Sequence, residues 1–183
     1  DHIKLKYSNI DSKRLLKKCV STVDNIYGKD SFEKSKILHL FGVIYYNLSE
    51  YNKARTALEQ SIHINKKLFG GGAIDFTESL FYLAMLESDV GQHFKAIKLL
   101  EPVSTIIQSH YGDNHVKTAC VMMHLAKALY RIGAYDKSET LLKKSLEIYS
   151  NNFGADHPTV AKNLLILGSK KKQKGYYNEA LNF

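Results

Sequence analysis

The sequence predicts an all-α fold, a right-handed α-solenoid of stacked antiparallel helix pairs. The first observation is a repeat of 42 residues, in which an aromatic residue followed by glycine occurs at 27–28, 69–70, 111–112 and 153–154. The second is that apolar residues return every three or four positions, as on one face of a helix. The third is that no segment alternates apolar and polar residues as a half-buried strand does. One helix pair cannot bury its apolar faces alone, so successive repeats are expected to stack.

Each repeat is predicted to contain a first helix, a short turn and a second helix. The turn falls at Gly91 and at its equivalent Gly133. The second helix is expected to end at the aromatic–glycine pair, where glycine takes the left-handed conformation that closes a helix. The next first helix is expected to start near Asn114 or Asp156, with Pro158 in its first turn.

Small residues recur at two positions of the repeat, where they are expected to let the paired helices approach closely. Those in the first helix are Gly42, Ala84, Ala126 and Gly168, and those twelve residues later are Ala54, Ala96, Ser138 and Ala180.

The repeat register divides the chain into one array. Residues 1–30 are interpreted as the second helix of a partial repeat, and full repeats follow at 31–72, 73–114 and 115–156. Residues 157–183 form a second partial repeat. We interpret the chain as a piece of a longer repeat protein.

The composition is that of a folded, water-soluble chain: 44% of the 183 residues are hydrophobic and 24% are charged. Two cysteines are too few for a disulfide framework, which predicts a cytoplasmic location, and no apolar run is long enough to span a membrane. The net charge of +8 is concentrated in residues 1–60 and 121–183. Such a charge is compatible with an acidic peptide, a nucleic acid or an anionic membrane, and selects none of them.

The residue order of the third full repeat resembles that of the tetratricopeptide repeat: Leu125-Ala126, Gly133, Tyr135, Ser138 and Leu142. The usual period of that repeat is about 34 residues. The longer period here, together with the junction at 153–168, resembles the kinesin light chain type. The resemblance implies a tetratricopeptide superhelix that acts as a non-enzymatic scaffold or adaptor for other proteins.

In that family the first helices line a concave groove, through positions spaced three or four residues apart. The resemblance implies a peptide-binding groove formed by Lys36, His39, Val43, Tyr46, Glu78, Phe81, Met85, Ser88, Met123, Lys127, Tyr130, Arg131, Lys162, Leu165 and Lys172. The apolar members would hold an apolar side chain of the ligand, and the lysines and Arg131 would pair with its carboxylates or phosphates. The implied partner is therefore an extended acidic peptide.

Two other classes of function stay open. The run 170–172 with Lys174 is compatible with a basic repeat that binds nucleic acid or lipid, and a self-associating structural spacer is the third possibility. Kinesin light chains usually carry an Asn pair before the Leu-Ala step, and positions 39–40, 81–82, 123–124 and 165–166 contain no Asn. No cofactor, metal site or catalytic group is predicted.

Overall fold

The computed structural model describes residues 2–70 and 74–173 and, within them, the side chains of residues 14–70, 74 and 76–168. This part of the chain forms α-helices and one 3-10 turn, without a strand: α1 (His2–Tyr27), α2 (Phe32–Asn47), α3 (Tyr51–Phe69), the turn (Ile74–Phe76), α4 (Thr77–Asp89), α5 (His93–Tyr111), α6 (Val116–Arg131), α7 (Tyr135–Phe153) and α8 (Pro158–Gln173). The all-α prediction is confirmed. None of these helices is both long and apolar enough to cross a membrane.

The chain divides into two compact units, Asp1–Leu86 and Glu87–Phe183, and the division falls inside α4. In the N-terminal unit α2 packs against both α1 and α3. In the C-terminal unit α6 packs against α5 and α7, and α7 packs against α8. The even-numbered helices are the first helices of the repeats, and the odd-numbered helices are the second helices.

Each second helix ends at the predicted aromatic–glycine pair. Gly112 has φ 88° and ψ 170°, and Gly154 has φ 83° and ψ 162°. The positive φ is as predicted, but the ψ values place both residues in an extended region that only glycine occupies, and not in the left-handed helical region. The chain therefore leaves the helix extended and turns into the next first helix.

A histidine caps the first helix after two of these junctions. The Nδ1 atom of His115 accepts a hydrogen bond from the backbone N–H of Lys117 at 3.1 Å, and its ring stacks on Tyr111 with centroids 4.6 Å apart. Forty-two residues later, His157 accepts from the backbone N–H of Thr159 at 3.2 Å. This contact satisfies one of the free N–H groups at the start of a helix, which explains why histidine recurs at this position.

Replacing His115 by alanine is expected to lower the free energy of unfolding by about 1 kcal/mol, because an N-cap acceptor is lost. The variant His115→Asp should recover most of this loss, since aspartate is a good N-cap residue. Urea denaturation of the three proteins measures both values. Equal stability of wild type and His115→Ala would contradict the capping role.

The small residues allow close packing, as predicted. In the N-terminal unit Ala54 is fully buried, and a Cβ atom added to Gly42 would lie 2.6 Å from Cγ of Leu58. In the C-terminal unit the hydroxyl of Ser138 donates to the carbonyl oxygen of Ala126 at 2.6 Å. The fourth predicted pair includes Ala180, which lies outside the described residues.

Buried serines link neighbouring helices in the N-terminal unit. The hydroxyl of Ser61, on α3, donates to the carbonyl oxygen of Ser35 on α2 at 2.9 Å and lies 3.0 Å from the hydroxyl of Ser79 on α4. Because a buried polar group is costly without a partner, these contacts favour one register of the three helices.

The C-terminal unit repeats this arrangement 84 residues later. The hydroxyl of Ser145, on α7, donates to the carbonyl oxygen of Ala119 at 2.9 Å and accepts from Nδ2 of Asn163 at 2.9 Å. The intervening repeat has buried Val103 and Val121 at the equivalent positions. Each of these two positions of the repeat thus holds either a hydrogen-bonded polar side chain or an apolar one.

Candidate functional site

The N-terminal unit has an aromatic face between the first helices α2 and α4. The ring of Tyr82 lies 6.1 Å from that of Tyr46, 6.0 Å from that of Phe81 and 5.7 Å from that of His39, each in an edge-on arrangement. All four side chains are half-buried, so each exposes part of its surface. We call these four residues the aromatic face. It offers a ligand π surfaces and apolar contact area.

His39 lies at the edge of the aromatic face and is held by polar neighbours on α4. Its Nδ1 atom is 3.0 Å from the hydroxyl of Ser79, and its Nε2 atom is 3.9 Å from the carboxylate of Glu78. Burial lowers the pKa of His39, and the nearby Glu78 carboxylate opposes that shift to a smaller extent. The imidazole is therefore neutral at physiological pH.

The other predicted groove residues of the N-terminal unit are two apolar residues and one lysine. Val43 and Met85 are half-buried and apolar. Lys36 is exposed, but its ammonium group lies 4.1 Å above the ring of Phe32, one turn back on α2. This cation–π contact holds the ammonium group of Lys36 near the start of α2.

The C-terminal unit has a basic cluster on the first helices α6 and α8, which we define as Lys127, Arg131 and Lys162. All three side chains are exposed. The pKa of His124 is lowered to about 4, mainly by burial and to a smaller extent by the positive charges of Lys127 and Lys162. Both lysines are therefore close enough to influence the pKa of one imidazole, so the positive charges of Lys127 on α6 and Lys162 on α8 lie in the same region.

Two further groups lie beside the basic cluster. Burial lowers the pKa of His93, at the start of α5, and the charges of Arg131 and Lys127 add to this effect. The carboxylate of Asp89 lies 4.0 Å from Nζ of Lys127. Because Asp89 sits at the limit of an ion pair and is partly exposed, it offsets little of the positive field.

Tyr130 lies between Lys127 and Arg131 on α6 and supplies the apolar part of this surface. Its ring is half-buried and contacts that of Tyr135 edge-on, with centroids 5.1 Å apart. Ser88, at the end of α4, is half-buried in the same unit.

Met123 and Leu165 differ in exposure, although they occupy equivalent positions in the repeat. Met123 is buried, and it belongs to a core cluster with Leu142, Leu167 and the partly buried Ile166. Leu165 is 74% exposed. The helix that follows in the array covers this position, so Met123 belongs to the core and not to the open surface. Lys172 belongs to the run 170–172, and the side chains of that run lie outside those that the structure describes.

The predicted groove did not include Tyr82, His93 or His124, which the structure places in or beside these surfaces. Tyr82 directly follows a predicted groove residue, and it contacts three of the ring-bearing side chains. The signal for Tyr82 was its aromatic character next to Phe81. No signal in the sequence indicates that the charges of Arg131 and Lys127 on α6 influence the pKa of His93, because that effect depends on how the helices pack.

Cys120 and His124 are four residues apart on α6, but their environment disfavours a reactive thiolate. Burial raises the pKa of the Cys120 thiol, while a hydrogen bond with Tyr149 lowers it to a smaller extent. Burial also keeps His124 neutral. Among the side chains that the structure describes, no three histidine, cysteine or acidic residues lie close enough together to hold a metal ion.

Sequence profiles described as tetratricopeptide repeat match residues 76–151, 117–183 and 36–76. The chain belongs to the tetratricopeptide repeat family. No curated protein sequence matches it. Membership of this family indicates an interaction scaffold for other proteins.

Solved structures of several proteins share this fold. The nearly identical tetratricopeptide-like repeats of a putative kinesin light chain from Podosopora anserina align over 99% of this chain and 88% of theirs, with a TM-score of 0.77 at 20% identity. BtubC (BKLC) from P. vanneervenii aligns over 98% of this chain and 70% of its own, with a TM-score of 0.81 at 16% identity. A Rap protein complexed with competence and sporulation factor aligns over 82% of this chain and 41% of its own, with a TM-score of 0.69 at 18% identity. The predicted kinesin light chain-like type is confirmed at the level of the fold.

Proposed function

We propose that this protein is a non-enzymatic, cytoplasmic scaffold or adaptor that binds an extended acidic peptide with an apolar side chain. The basic cluster of the C-terminal unit carries this proposal. Three exposed cations on two adjacent first helices form a surface that attracts carboxylates, and Arg131 can pair with a carboxylate through two parallel hydrogen bonds.

The proposal that the peptide carries an apolar side chain rests on an aromatic residue beside the basic cluster. Tyr130 stands between the two cations of α6, and its ring contacts that of Tyr135. Tyrosine side chains recur in binding surfaces because they bury a large area while losing little conformational entropy. A peptide with a large apolar side chain next to several carboxylates matches the basic cluster together with Tyr130.

A modest affinity is expected for a single peptide. Ordering an extended segment costs conformational entropy, and exposed ion pairs contribute little each, so we expect a dissociation constant of about 1 μM or weaker. One structural neighbour, the Rap protein, was solved in complex with a factor, which supports ligand binding by a fold of this kind.

Reversing two charges of the basic cluster is expected to weaken binding. The probe is a fluorescein-labelled 12-residue peptide with one Trp flanked by Glu and Asp, titrated by fluorescence anisotropy. The variant Lys127→Glu/Arg131→Glu should raise the dissociation constant about tenfold or more at low salt. It should also reduce the salt dependence of binding, because fewer charge pairs remain to be screened.

The matched control is Lys95→Glu/Lys98→Glu on α5. Both of these lysines are exposed, and the charge change is the same as in the test variant. The control should bind like wild type, and a peptide with Gln and Asn in place of its acidic residues should bind neither protein. Equal loss in both variants would show a response to net charge alone and would contradict a specific site. Tighter binding of a single-stranded oligo-dT probe than of the peptide would favour the nucleic-acid class instead.

A further inference from the structure

The turn between α4 and α5 differs in its side chains from the equivalent turns of the repeats before and after it. In both of those repeats a tyrosine of the first helix packs on a tyrosine of the second, with ring centroids 6.2 and 5.1 Å apart: Tyr46 with Tyr51, and Tyr130 with Tyr135. The equivalent residues at the α4–α5 turn are Ser88 and His93. We call this pair the polar turn. One aromatic ring is missing from it, and the other is replaced by an imidazole.

The backbone of the polar turn follows the same path as in the neighbouring repeats. In each of the three turns the N–H before the second helix donates to the carbonyl oxygen five residues back, at 2.7–3.0 Å: Glu50 to Tyr45, Gln92 to Glu87, and Ala134 to Leu129. The side chains of Ser88 and His93 therefore hold the places of the two tyrosines. Both are half-buried, and they put a hydroxyl and an imidazole where the other repeats have phenol rings.

The ring of His93 can donate a hydrogen bond to a ligand. Its Nδ1 atom is buried and has no hydrogen-bond partner among the residues that the structure describes. A proton on Nδ1 would be a buried donor without an acceptor, which favours the neutral form that carries its proton on Nε2. The ring therefore offers its N–H group at Nε2.

Two cations of the basic cluster lie beside the polar turn. The Nζ atom of Lys127 is 4.0 Å from the carboxylate of Asp89, the residue that follows Ser88. The pKa of His93 is lowered mainly by burial and to a smaller extent by the charges of Arg131 and Lys127. Both cations are therefore close enough to influence the imidazole, and an anion at the polar turn would meet them as well.

The charge of this region matches a phosphomonoester better than a single carboxylate. The basic cluster carries three positive charges, and Asp89 beside it carries one negative charge, which leaves an excess of two. A phosphomonoester carries a charge of about −1.5 to −2 at neutral pH and has three acceptor oxygens. A carboxylate carries one charge and two oxygens. One phosphate group can therefore balance the excess and accept from ammonium, guanidinium, imidazole and hydroxyl donors.

We propose that the polar turn and the basic cluster together bind a phosphorylated side chain of the peptide. Lys127 and Arg131 pair with the phosphate oxygens. The Nε2–H group of His93 and the hydroxyl of Ser88 donate to the same group and select it over a carboxylate. This inference rests on the proposed function, because the phosphate belongs to the acidic peptide that the basic cluster binds.

The test compares two versions of the fluorescein-labelled acidic peptide, one with a serine beside its Trp and one with phosphoserine at that position. For the wild type, phosphorylation should lower the dissociation constant about tenfold in fluorescence anisotropy. The variant Ser88→Tyr/His93→Tyr restores the tyrosine pair of the other repeats and keeps every cation, and it should reduce this ratio to about two. The matched control His110→Tyr, at an exposed side chain near the other end of α5, should keep the full ratio.

Inorganic phosphate gives a second readout that does not depend on the peptide. In an NMR titration it should shift the imidazole resonances of His93 with a dissociation constant of about 1 mM or weaker, and leave those of His110 unchanged. Such a shift without binding of the unphosphorylated peptide would contradict the proposed function and support the phosphate site.

Three results would overturn the inference. Equal binding of the two peptides by the wild type would do so and would leave the proposed binding of an acidic peptide intact. A full preference for phosphoserine in the Ser88→Tyr/His93→Tyr variant would show that the basic cluster alone accounts for it. The absence of any phosphate-induced shift at His93 would show that the imidazole takes no part.

Discussion

The free energy of unfolding is expected to fall by about 3 kcal/mol between pH 7 and pH 4 through His124 alone. Burial on α6 lowers the pKa of His124 to about 4, with Lys127 and Lys162 acting in the same direction. In the unfolded chain the ordinary pKa is 6.5. The unfolded state therefore binds a proton at a higher pH than the folded state does.

The sign of the effect follows from this difference. Above about pH 6.5 His124 is neutral in both states, and its contribution does not change with pH. As the pH falls from 6.5 toward 4, the unfolded state gains a proton that the folded state does not, so stability is lost progressively. His39 and His93 contribute with the same sign, because burial lowers the pKa of each.

Urea denaturation at several pH values measures this loss, and His124→Gln provides the control. Glutamine keeps a polar side chain but does not titrate, so the variant should lose about 3 kcal/mol less than wild type over the same pH range. Carboxylates titrate alike in both proteins and cancel in the comparison. Parallel pH profiles for the two proteins would contradict the buried, neutral state of His124.

Replacing Gly42 by valine is expected to lower the free energy of unfolding by about 3 kcal/mol. The first added carbon would lie 2.6 Å from Cγ of Leu58, and Leu58 is fully buried. Neither α2 nor α3 can move away without disturbing the buried contacts between them, including the hydrogen bond from Ser61 to Ser35. The better helix propensity of valine over glycine offsets only a few tenths of a kcal/mol.

A double-mutant cycle tests the cause of this loss. Leu58→Ala alone should also destabilise the protein, by about 2–5 kcal/mol, because it leaves a cavity. The double variant Gly42→Val/Leu58→Ala should lose less than the sum of the two single losses, since the valine side chain occupies part of that cavity. Additive losses in urea denaturation would show that the two residues do not compete for the same space.

The repeat architecture could be predicted from the sequence because it depends on local properties. The aromatic–glycine pairs mark helix ends through the backbone freedom of glycine, as Gly112 and Gly154 show. The small residues at two positions of the repeat mark close helix contacts, as the approach of Gly42 to Leu58 shows. Both kinds of signal recur every 42 residues, so each repeat supports the interpretation of the others.

The candidate surfaces could be predicted only in part, because exposure depends on the neighbouring helix. Met123 and Leu165 hold the same position in the repeat, but one is buried by α8 and the other is 74% exposed. The capping role of His115 was also missed, because it depends on the orientation of Nδ1 and not on spacing. Lys127 and Arg131 are exposed one helical turn apart on α6, and their role in binding a peptide stays a prediction.

Mapping where an acidic peptide touches the protein tests the central claim most directly. The same Trp-containing peptide, with a photoreactive benzoylphenylalanine beside its acidic residues, would be cross-linked to the wild-type chain and the adducts located by mass spectrometry. Cross-links are expected on α6, around Tyr130 between Lys127 and Arg131, and on α8 near Lys162. Cross-links confined to α5 and α7 would show that the second helices bind the peptide, and would contradict a binding surface on the first helices.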